Sequence, residues 1–204
     1  MKHNLILKKI VSFILCLLLT FGMCVPSFAA TGEEEQIEPR IITQQMLNVL
    51  PIEQDGTLRC WAAYGATVTN YLTGGSYTEQ SFCRMTYGHE NDVGADMDTL
   101  VTGLRRCQVT AYSFTPSDYG NDVLSMASIM NALNAGKPII TMHRIDEQAL
   151  KLSHAMVIVG YYNNDTPYSS IIYYMDPEFG AIYSTDYTSF CSLRGGWISA
   201  AICG

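Results

Sequence analysis

The chain has 204 residues, of which 48% are hydrophobic and 15% are charged. This composition excludes a disordered chain, and 16 Gly with 7 Pro are too few for a fibrous one. The formal net charge is −7 and the sequence has no basic stripe, which argues against nucleic acid and anionic membrane surfaces as partners. At this length, one globular domain is expected.

The first 29 residues have the pattern of an export signal. Three lysines fall within the first nine positions and precede an apolar run that begins at Ile10. Small residues at Ser27 and Ala29 then supply a signal-peptidase site, whereas the run is barely long enough for a permanent membrane anchor. We expect residues 1–29 to be removed and the mature protein to be secreted, from a Gram-positive bacterium by the style of the signal. Residues 30–49 then form an acidic tail or a short pro-segment.

Five cysteines follow the signal: Cys60, Cys83, Cys107, Cys191 and Cys203. Export favours disulfides, and the simplest arrangement is Cys83–Cys107 with Cys191–Cys203, although the sequence does not choose among the three pairings of these four. The odd number leaves at least one thiol unpaired within the chain. A zinc site built from Cys83, His89 and Cys107 lacks the usual ligand spacing, so no metal is expected.

Helical patterns occupy the first half of the mature chain. We predict four helices. The first covers Cys60–Leu72 and is ended by Gly74 and Gly75. The others run from the N-cap Thr78 through Tyr87, from the N-cap Asp96 through Arg106, and from Asp122 or Ser125 to Ala135.

Strand patterns follow in the second half, at Pro138–His143, His154–Tyr162, Ser170–Met175, Ala181–Tyr183 and Trp197–Ala201. A turn at residues 163–165 makes two of these strands a hairpin. Helices followed by antiparallel strands predict an α+β fold of two packed layers.

One cysteine has the neighbours of a nucleophile. Cys60 opens the first predicted helix, where the helix dipole and unpaired amides stabilise a thiolate. His154 begins one strand of the predicted hairpin and Asp176 ends the other, so the two fall near the same end. Gln54 can turn its amide into an oxyanion hole beside the Cys60 amide. This arrangement predicts a nucleophile, a base and an orienting acid.

Two blocks resemble papain-like cysteine peptidases. Gln54-Asp-Gly-Thr-Leu-Arg-Cys60-Trp61-Ala62 is similar to their Gln-x5-Cys-Trp-Ala signature, and Ser153-His154-Ala155-Met-Val-Ile-Val-Gly-Tyr to their His-Ala-hydrophobic-Gly-Tyr strand. Asp176-Pro177 departs from papain itself and resembles compact bacterial branches, namely bacteriocin-leader-processing peptidases and secreted effector proteases.

The resemblance implies a papain-like domain over residues 50–204 that hydrolyses a peptide or protein substrate without a metal or organic cofactor. Carried over residue by residue, it makes Cys60 the nucleophile, His154 the acid and base, Asp176 the orienting residue and Gln54 the oxyanion donor. Which ring nitrogen of His154 faces the sulfur stays open, as does the oligomeric state.

Three other functions fit the same residues. A transglutaminase-type acyltransferase also uses Cys, His and Asp in this order, but it would join an added amine to its substrate. A cell-wall amidase would cut muropeptides and usually carries a wall-binding module. A catalytically silent binding protein would have an unreactive Cys60. The spacing of Gln54 and the Asp176-Pro177 block favour the peptidase.

Overall fold

The structure is a computed structural model that describes residues 43–116, 123–145, 153–166 and 168–204. All of them belong to Pro39–Gly204, one of two compact units of the chain. The predicted signal peptide 1–29, the predicted tail up to residue 42 and the alternative helix start Asp122 lie outside the described residues. Within the described ranges, no helix is long and apolar enough to cross a membrane.

Of the five α-helices in the described residues, all but the first begin after a residue whose side chain caps them. The helices are α1 (Cys60–Thr73), α2 (Glu79–Tyr87), α3 (Met97–Arg106), α4 (Met126–Asn134) and α5 (Tyr187–Ser192). The side chains of Thr78, Asp96, Ser125 and Asp186 each accept a hydrogen bond from the amide three residues later, which satisfies a first-turn donor. α1 ends at Gly74, whose φ of 67° lies in the left-handed region. The four predicted helices are confirmed, with Ser125 opening α4, while α5 was not predicted.

Seven strands of the described residues form one antiparallel sheet. They are β1 (Thr43–Met46), β2 (Ala111–Phe114), β3 (Ile139–Arg144), β4 (Ser153–Asn163), β5 (Ile171–Asp176), β6 (Ala181–Asp186) and β7 (Trp197–Cys203). The hydrogen-bonded order is β2-β7-β3-β4-β5-β6, and β1 pairs with β4. The predicted hairpin is confirmed, with Val157 opposite Met175. Helices first and an antiparallel sheet afterwards confirm the α+β class.

The sheet begins before the predicted domain start at residue 50. β1 pairs Met46 with Gly160 of β4, just past Ile158, which pairs with the first residue of β3. Leu47 and Val49 are buried just after β1. Residues 43–49 therefore belong to the fold, although the sequence analysis placed them in an acidic tail or a short pro-segment. The short segment Thr-Gln-Gln-Met has no apolar alternation, so only its pairing with β4 reveals it as a strand.

α1 is buried on nearly all sides. Trp61 and Tyr64 are among its largest buried side chains, and Trp61 donates its ring N–H to the Val93 carbonyl at 2.9 Å. Gly65 lets α2 approach, since a Cβ at this position would overlap the Phe82 ring. The helix packs against β4. This packing places the N-terminus of α1 beside the first residues of β4.

The predicted disulfides are absent from the structure, because no two of the five cysteines in the described residues are joined. The sulfurs have other partners. Cys83 Sγ lies 3.2 Å from Asn91 Oδ1, and Cys203 Sγ lies 3.5 Å from the Ala201 carbonyl. Cys107 faces the hydroxyls of Thr69 and Tyr77, and its burial raises the pKa of its thiol. Cys83, Cys107 and Cys203 therefore fill the core as small apolar side chains.

Candidate active site

Cys60 is the first residue of α1 and lies at the bottom of a cleft. The first-turn amides of a helix have no intrahelical acceptor, so this end of α1 presents N–H groups and a partial positive charge. The amide of Ala155 on β4 approaches the sulfur at 3.5 Å. These donors suit a sulfur that carries negative charge.

His154 and Asp176 meet as the hairpin predicts. His154 Nε2 lies 2.8 Å from Asp176 Oδ1, and both side chains are almost fully buried. The imidazole also hydrogen-bonds the Cys60 side chain. Because Nε2 is engaged with the carboxylate, Nδ1 is the nitrogen that faces the sulfur. The tertiary structure thus answers the question of ring orientation that the sequence left open.

The electrostatics of this pair favour charged forms. Burial opposes protonation of His154, but hydrogen bonds to Asp176 and Cys60 outweigh it and raise the pKa of the imidazole to about 9. Burial likewise disfavours the Asp176 carboxylate, yet the bond to His154, the Glu178 amide at 3.1 Å and the charge of Arg194 lower its pKa. The site therefore holds an imidazolium against a carboxylate around neutral pH.

Sequence reasoning missed Arg194. Its Nη2 lies 3.1 Å from Asp176 Oδ2 and 2.9 Å from Glu178 Oε2. It lies on the turn Leu193–Gly195, between α5 and β7, and the only sequence signal there was the Gly195-Gly196 pair, which indicates a turn but not a partner.

Gln54 lies at the same cleft. Its backbone amide donates to the Pro177 carbonyl at 2.9 Å, which ties the segment before α1 to the residue after Asp176. Its side-chain amide donates to the Gly56 carbonyl. Because Nε2 carries two hydrogens, one remains for another acceptor. The structure thus brings all four predicted residues, Gln54, Cys60, His154 and Asp176, to one cleft.

A buried ion pair supports the loop between Gln54 and Cys60. Glu79 Oε1 lies 2.6 Å from Arg59 Nε, at an angle unsuited to a hydrogen bond, and its carboxylate accepts from the amides of Asp55 at 2.7 Å and Gly56 at 3.1 Å. Asp92 accepts from two further amides of the loop. Sequence reasoning also missed this support, because the acids lie 20 or more residues from the loop they bind.

The cleft has a volume of about 290 Å³. Its polar lining includes Gln54, Cys60, His154 and Arg194, and its apolar lining includes Leu58, Trp61, Ala95, Met142 and Ile145. An open cleft of this kind suits an extended peptide, whose backbone needs polar partners and whose side chains need apolar contacts.

Among the described residues, His154, Asp176 and Glu178 form a group of potential metal ligands, whose ligand atoms lie within 4.8 Å of one another. Arg194 already neutralises both carboxylates, which makes the group a poor cation site. A zinc site at Cys83, His89 and Cys107 was not expected from the sequence. In the structure, Cys83 Sγ lies 3.8 Å from the backbone carbonyl of His89. His143 packs edge-on against Phe190 and has a structural role.

The model of the family described as papain-like cysteine protease AvrRpt2 matches residues 43–194. The chain belongs to this family. It is therefore a cysteine peptidase, as the sequence motifs predicted. The match begins at the first residue of β1 and includes the cleft residues from Gln54 to Arg194.

Solved structures share the fold of this peptidase. The peptidase domain of Streptococcus ComA, a bifunctional ABC transporter involved in a quorum-sensing pathway, is 15% identical with a TM-score of 0.50, over 76% of this chain and 98% of that one. A double-glycine-motif protease from an AMS/PCAT transporter, in complex with a leader peptide, is 17% identical with a TM-score of 0.50, over 78% and 93%. UfSP from C. elegans is 10% identical with a TM-score of 0.55, over 81% and 35%.

At these identities the structural likeness concerns the fold alone, and it confirms the predicted papain-like architecture. A search of curated proteins finds no significant match.

Proposed function

We propose that this peptidase hydrolyses peptide bonds with a Cys60–His154–Asp176 triad, and that Gln54 and the Cys60 amide form its oxyanion hole. One observation carries the proposal. A single buried imidazole binds Asp176 Oδ1 at 2.8 Å through Nε2 and the Cys60 thiol through its other side, at the bottom of an open cleft. This is the arrangement that a nucleophile, a base and an orienting acid require.

The first half of the reaction forms a thioester. The Cys60 thiolate adds to the scissile carbonyl carbon, and the carbonyl electrons move to oxygen, where the Cys60 amide and Gln54 stabilise the negative charge. When this intermediate collapses, the C–N bond breaks. The protonated Nδ1 of His154 gives its proton to the leaving amine, which departs as the new N-terminus of the second product.

The second half restores the enzyme. Neutral His154 takes a proton from water, whose oxygen adds to the thioester carbon. The C–S bond then breaks, a carboxylic acid product leaves, and the thiolate returns to its pair with protonated His154. Asp176 keeps Nε2 occupied throughout, so that Nδ1 stays aimed at the sulfur. No step needs a metal or an organic cofactor.

We also propose that the substrate is a peptide or protein met outside the cell. The Asp176-Pro177 block resembles leader-processing and secreted effector proteases, and one structural neighbour was solved with a leader peptide. The lysines before Ile10 and the small residues before Ala30 support export. N-terminal sequencing of protein from culture medium is expected to begin near Ala30; an intact N-terminus retained with the cells would contradict export.

Thiol labelling tests the mechanism. The mature, non-reduced protein is treated with iodoacetamide at about pH 6, where an ordinary thiol is almost fully protonated. We expect fast labelling at Cys60, slowed in His154→Ala, while half-buried Cys191 serves as an internal control on the same peptide map. A Cys60 that reacts no faster than a model thiol would refute the triad and favour the binding-protein alternative.

A substrate screen separates the remaining alternatives. Casein and a peptide library are incubated with the protein, with and without an added primary amine, beside purified muropeptides. The proposal predicts new N-termini on protein or peptide substrates that disappear in Cys60→Ala. Incorporation of the amine would indicate an acyltransferase, and cleavage confined to muropeptides would indicate an amidase.

A further inference from the structure

A guanidinium outside the predicted motifs contacts the acid of the proposed triad. Asp176 divides its oxygens between two donors: Oδ1 accepts from His154, and Oδ2 accepts from Arg194 at 3.1 Å. The side chain of Asp176 is 7% exposed and that of Arg194 is 33% exposed. The ion pair therefore links a buried carboxylate to the rim of the cleft.

The turn that carries Arg194 is held in an unusual backbone conformation. Arg194 has a φ of 51°, in the left-handed region that residues other than glycine seldom adopt. Two contacts with β3 fix the turn: the Arg144 amide donates to the Gly196 carbonyl at 3.0 Å, and His143 Nδ1 lies 3.3 Å from the Leu193 carbonyl. Such strain persists where the surroundings impose it, and it concentrates at functional sites.

We propose that Arg194 is a positioning residue of this peptidase, which keeps the Asp176 carboxylate charged and aimed at His154. The inference rests on the proposed triad, because it assigns the residue that orients the acid of that triad. Arginine suits this role because it stays charged at every working pH, and its Nη2 group has two hydrogens, one for each of the two carboxylates that it contacts. Without it, Asp176 Oδ2 loses its charged donor, and the carboxyl group can rotate or take up a proton.

The other titratable groups around Asp176 do not supply a lasting positive charge. His154 on β4 gives up its proton during the proposed reaction. Tyr64 on α1 and Tyr174 on β5 face Asp176 as neutral phenols, because burial raises the pKa of each. Glu178, whose carboxylate shares Arg194 Nη2 with Asp176, adds negative charge.

His143 on β3 is also uncharged at neutral pH, since burial lowers its pKa to about 4. Among the described residues that face Asp176, Arg194 is thus the one cation whose charge does not change in the catalytic cycle. Loss of Arg194 should therefore change the pH dependence of Cys60 alkylation in addition to lowering kcat.

The test compares Arg194→Met with Arg194→Lys and with a matched control, Arg144→Met. Arg144 is an exposed cation beside the same turn, so its substitution removes the same charge without touching the Asp176 carboxylate. The rate constant for Cys60 alkylation is measured against pH, together with kcat and KM on a cleaved peptide. Asp176→Asn and the double variant Asp176→Asn/Arg194→Met complete a cycle.

We expect Arg194→Met to lower kcat roughly ten- to one-hundredfold with little change in KM, the range for a lost hydrogen bond between charged groups. The acid limb of its alkylation profile should move to higher pH. Arg194→Lys should recover part of the kcat and part of the shift in the alkylation profile. Arg144→Met should match wild type. In the Asp176→Asn background, Arg194→Met should have no further effect.

The possible outcomes separate this inference from the proposed function. A reactive Cys60 in the wild type, with profiles of Arg194→Met and Arg144→Met that coincide, overturns the role of Arg194 and leaves the triad intact. Equal losses from Arg194→Met with and without Asp176→Asn overturn it too, because a purely structural residue acts in both backgrounds. If Arg194→Met does not fold, the alkylation profile of Arg194→Lys is compared with that of Arg144→Met instead. An unreactive wild-type Cys60 overturns the triad and the inference together.

Discussion

His154 Nε2 lies 2.8 Å from Asp176 Oδ1, on the side of the imidazole ring away from Cys60. The two residues are 22 positions apart and meet because β4 and β5 form one antiparallel hairpin. This contact fixes which nitrogen can exchange a proton with the sulfur. The hydrogen bond to Asp176 is also the largest of the interactions that raise the pKa of His154.

Asp176→Asn should weaken both contacts of the carboxylate. An asparagine side chain has one carbonyl oxygen, so it can accept from His154 or from Arg194, while its NH2 group faces the other donor. We expect kcat/KM to fall roughly ten- to one-hundredfold, because a hydrogen bond to a charged group contributes about 1.5–3 kcal/mol. Peptide cleavage measures the effect. Asp98→Asn, on the exposed face of α3, is the control, and an equal loss in it would contradict the explanation.

The two buried histidines should titrate far apart. Burial lowers the pKa of His143 to about 4, and the bonds to Asp176 and Cys60 raise that of His154 to about 9 against the effect of burial. The stabilisation of protonated His154 is complete below its ordinary pKa of about 6.5 and is lost as pH rises through about 9. Peptidase activity should therefore decline above about pH 9, where His154 no longer protonates the leaving amine.

NMR of the imidazole protons checks this prediction, with Cys60→Ala as the comparison. Removal of the thiol should lower the pKa of His154, because the bond to Cys60 is one of the causes of its rise. Two histidines that both titrate near their ordinary value, with no response to Cys60→Ala, would be inconsistent with the buried network.

Glu79→Ala should destabilise the loop before the nucleophile. Glu79 is 2% exposed and accepts from two loop amides, and it is the buried partner of Arg59. Its removal leaves two loop amides without their acceptor and leaves buried Arg59 with exposed partners only, which should cost about 3–5 kcal/mol of unfolding free energy. Urea denaturation measures the loss.

Glu90→Ala is the matched control, because Glu90 also pairs with Arg59, at 3.1 Å, but is 43% exposed. Water screens such a pair, so its loss should cost less than about 1 kcal/mol. Similar costs for the two variants would show that the burial of Glu79 does not decide its contribution.

Gly65→Ala should destabilise the helical layer even though alanine favours helices. The added Cβ overlaps the Phe82 ring, which has no exposed surface in which to move. Overpacking of this kind costs about 1–3 kcal/mol, more than the gain of about 1 kcal/mol in helix propensity. Thermal unfolding should show the loss, whereas Gly94→Ala, whose Cβ meets nothing within 4 Å, should unfold like wild type.

Local chemistry made much of the fold predictable. Thr78, Asp96 and Ser125 begin helices because their side chains bind first-turn amides, and this preference needs no tertiary contact. The hairpin around residues 163–170 followed from apolar runs separated by turn residues. The short strands Thr43–Met46 and Ala111–Phe114 and the helix Tyr187–Ser192 were missed, because short elements are stabilised mainly by their neighbours.

For the site, the sequence by itself identified three groups that the structure brings together: Cys60 at a helix start, and His154 and Asp176 at matching ends of a hairpin. Only the tertiary structure decided which ring nitrogen faces the sulfur, that Arg194 binds the second oxygen of Asp176, and that Glu79 holds the loop beside Gln54. The reason is physical. A helix cap or a hairpin depends on residues close in the chain, whereas these ion pairs join distant segments whose meeting depends on how the two layers pack.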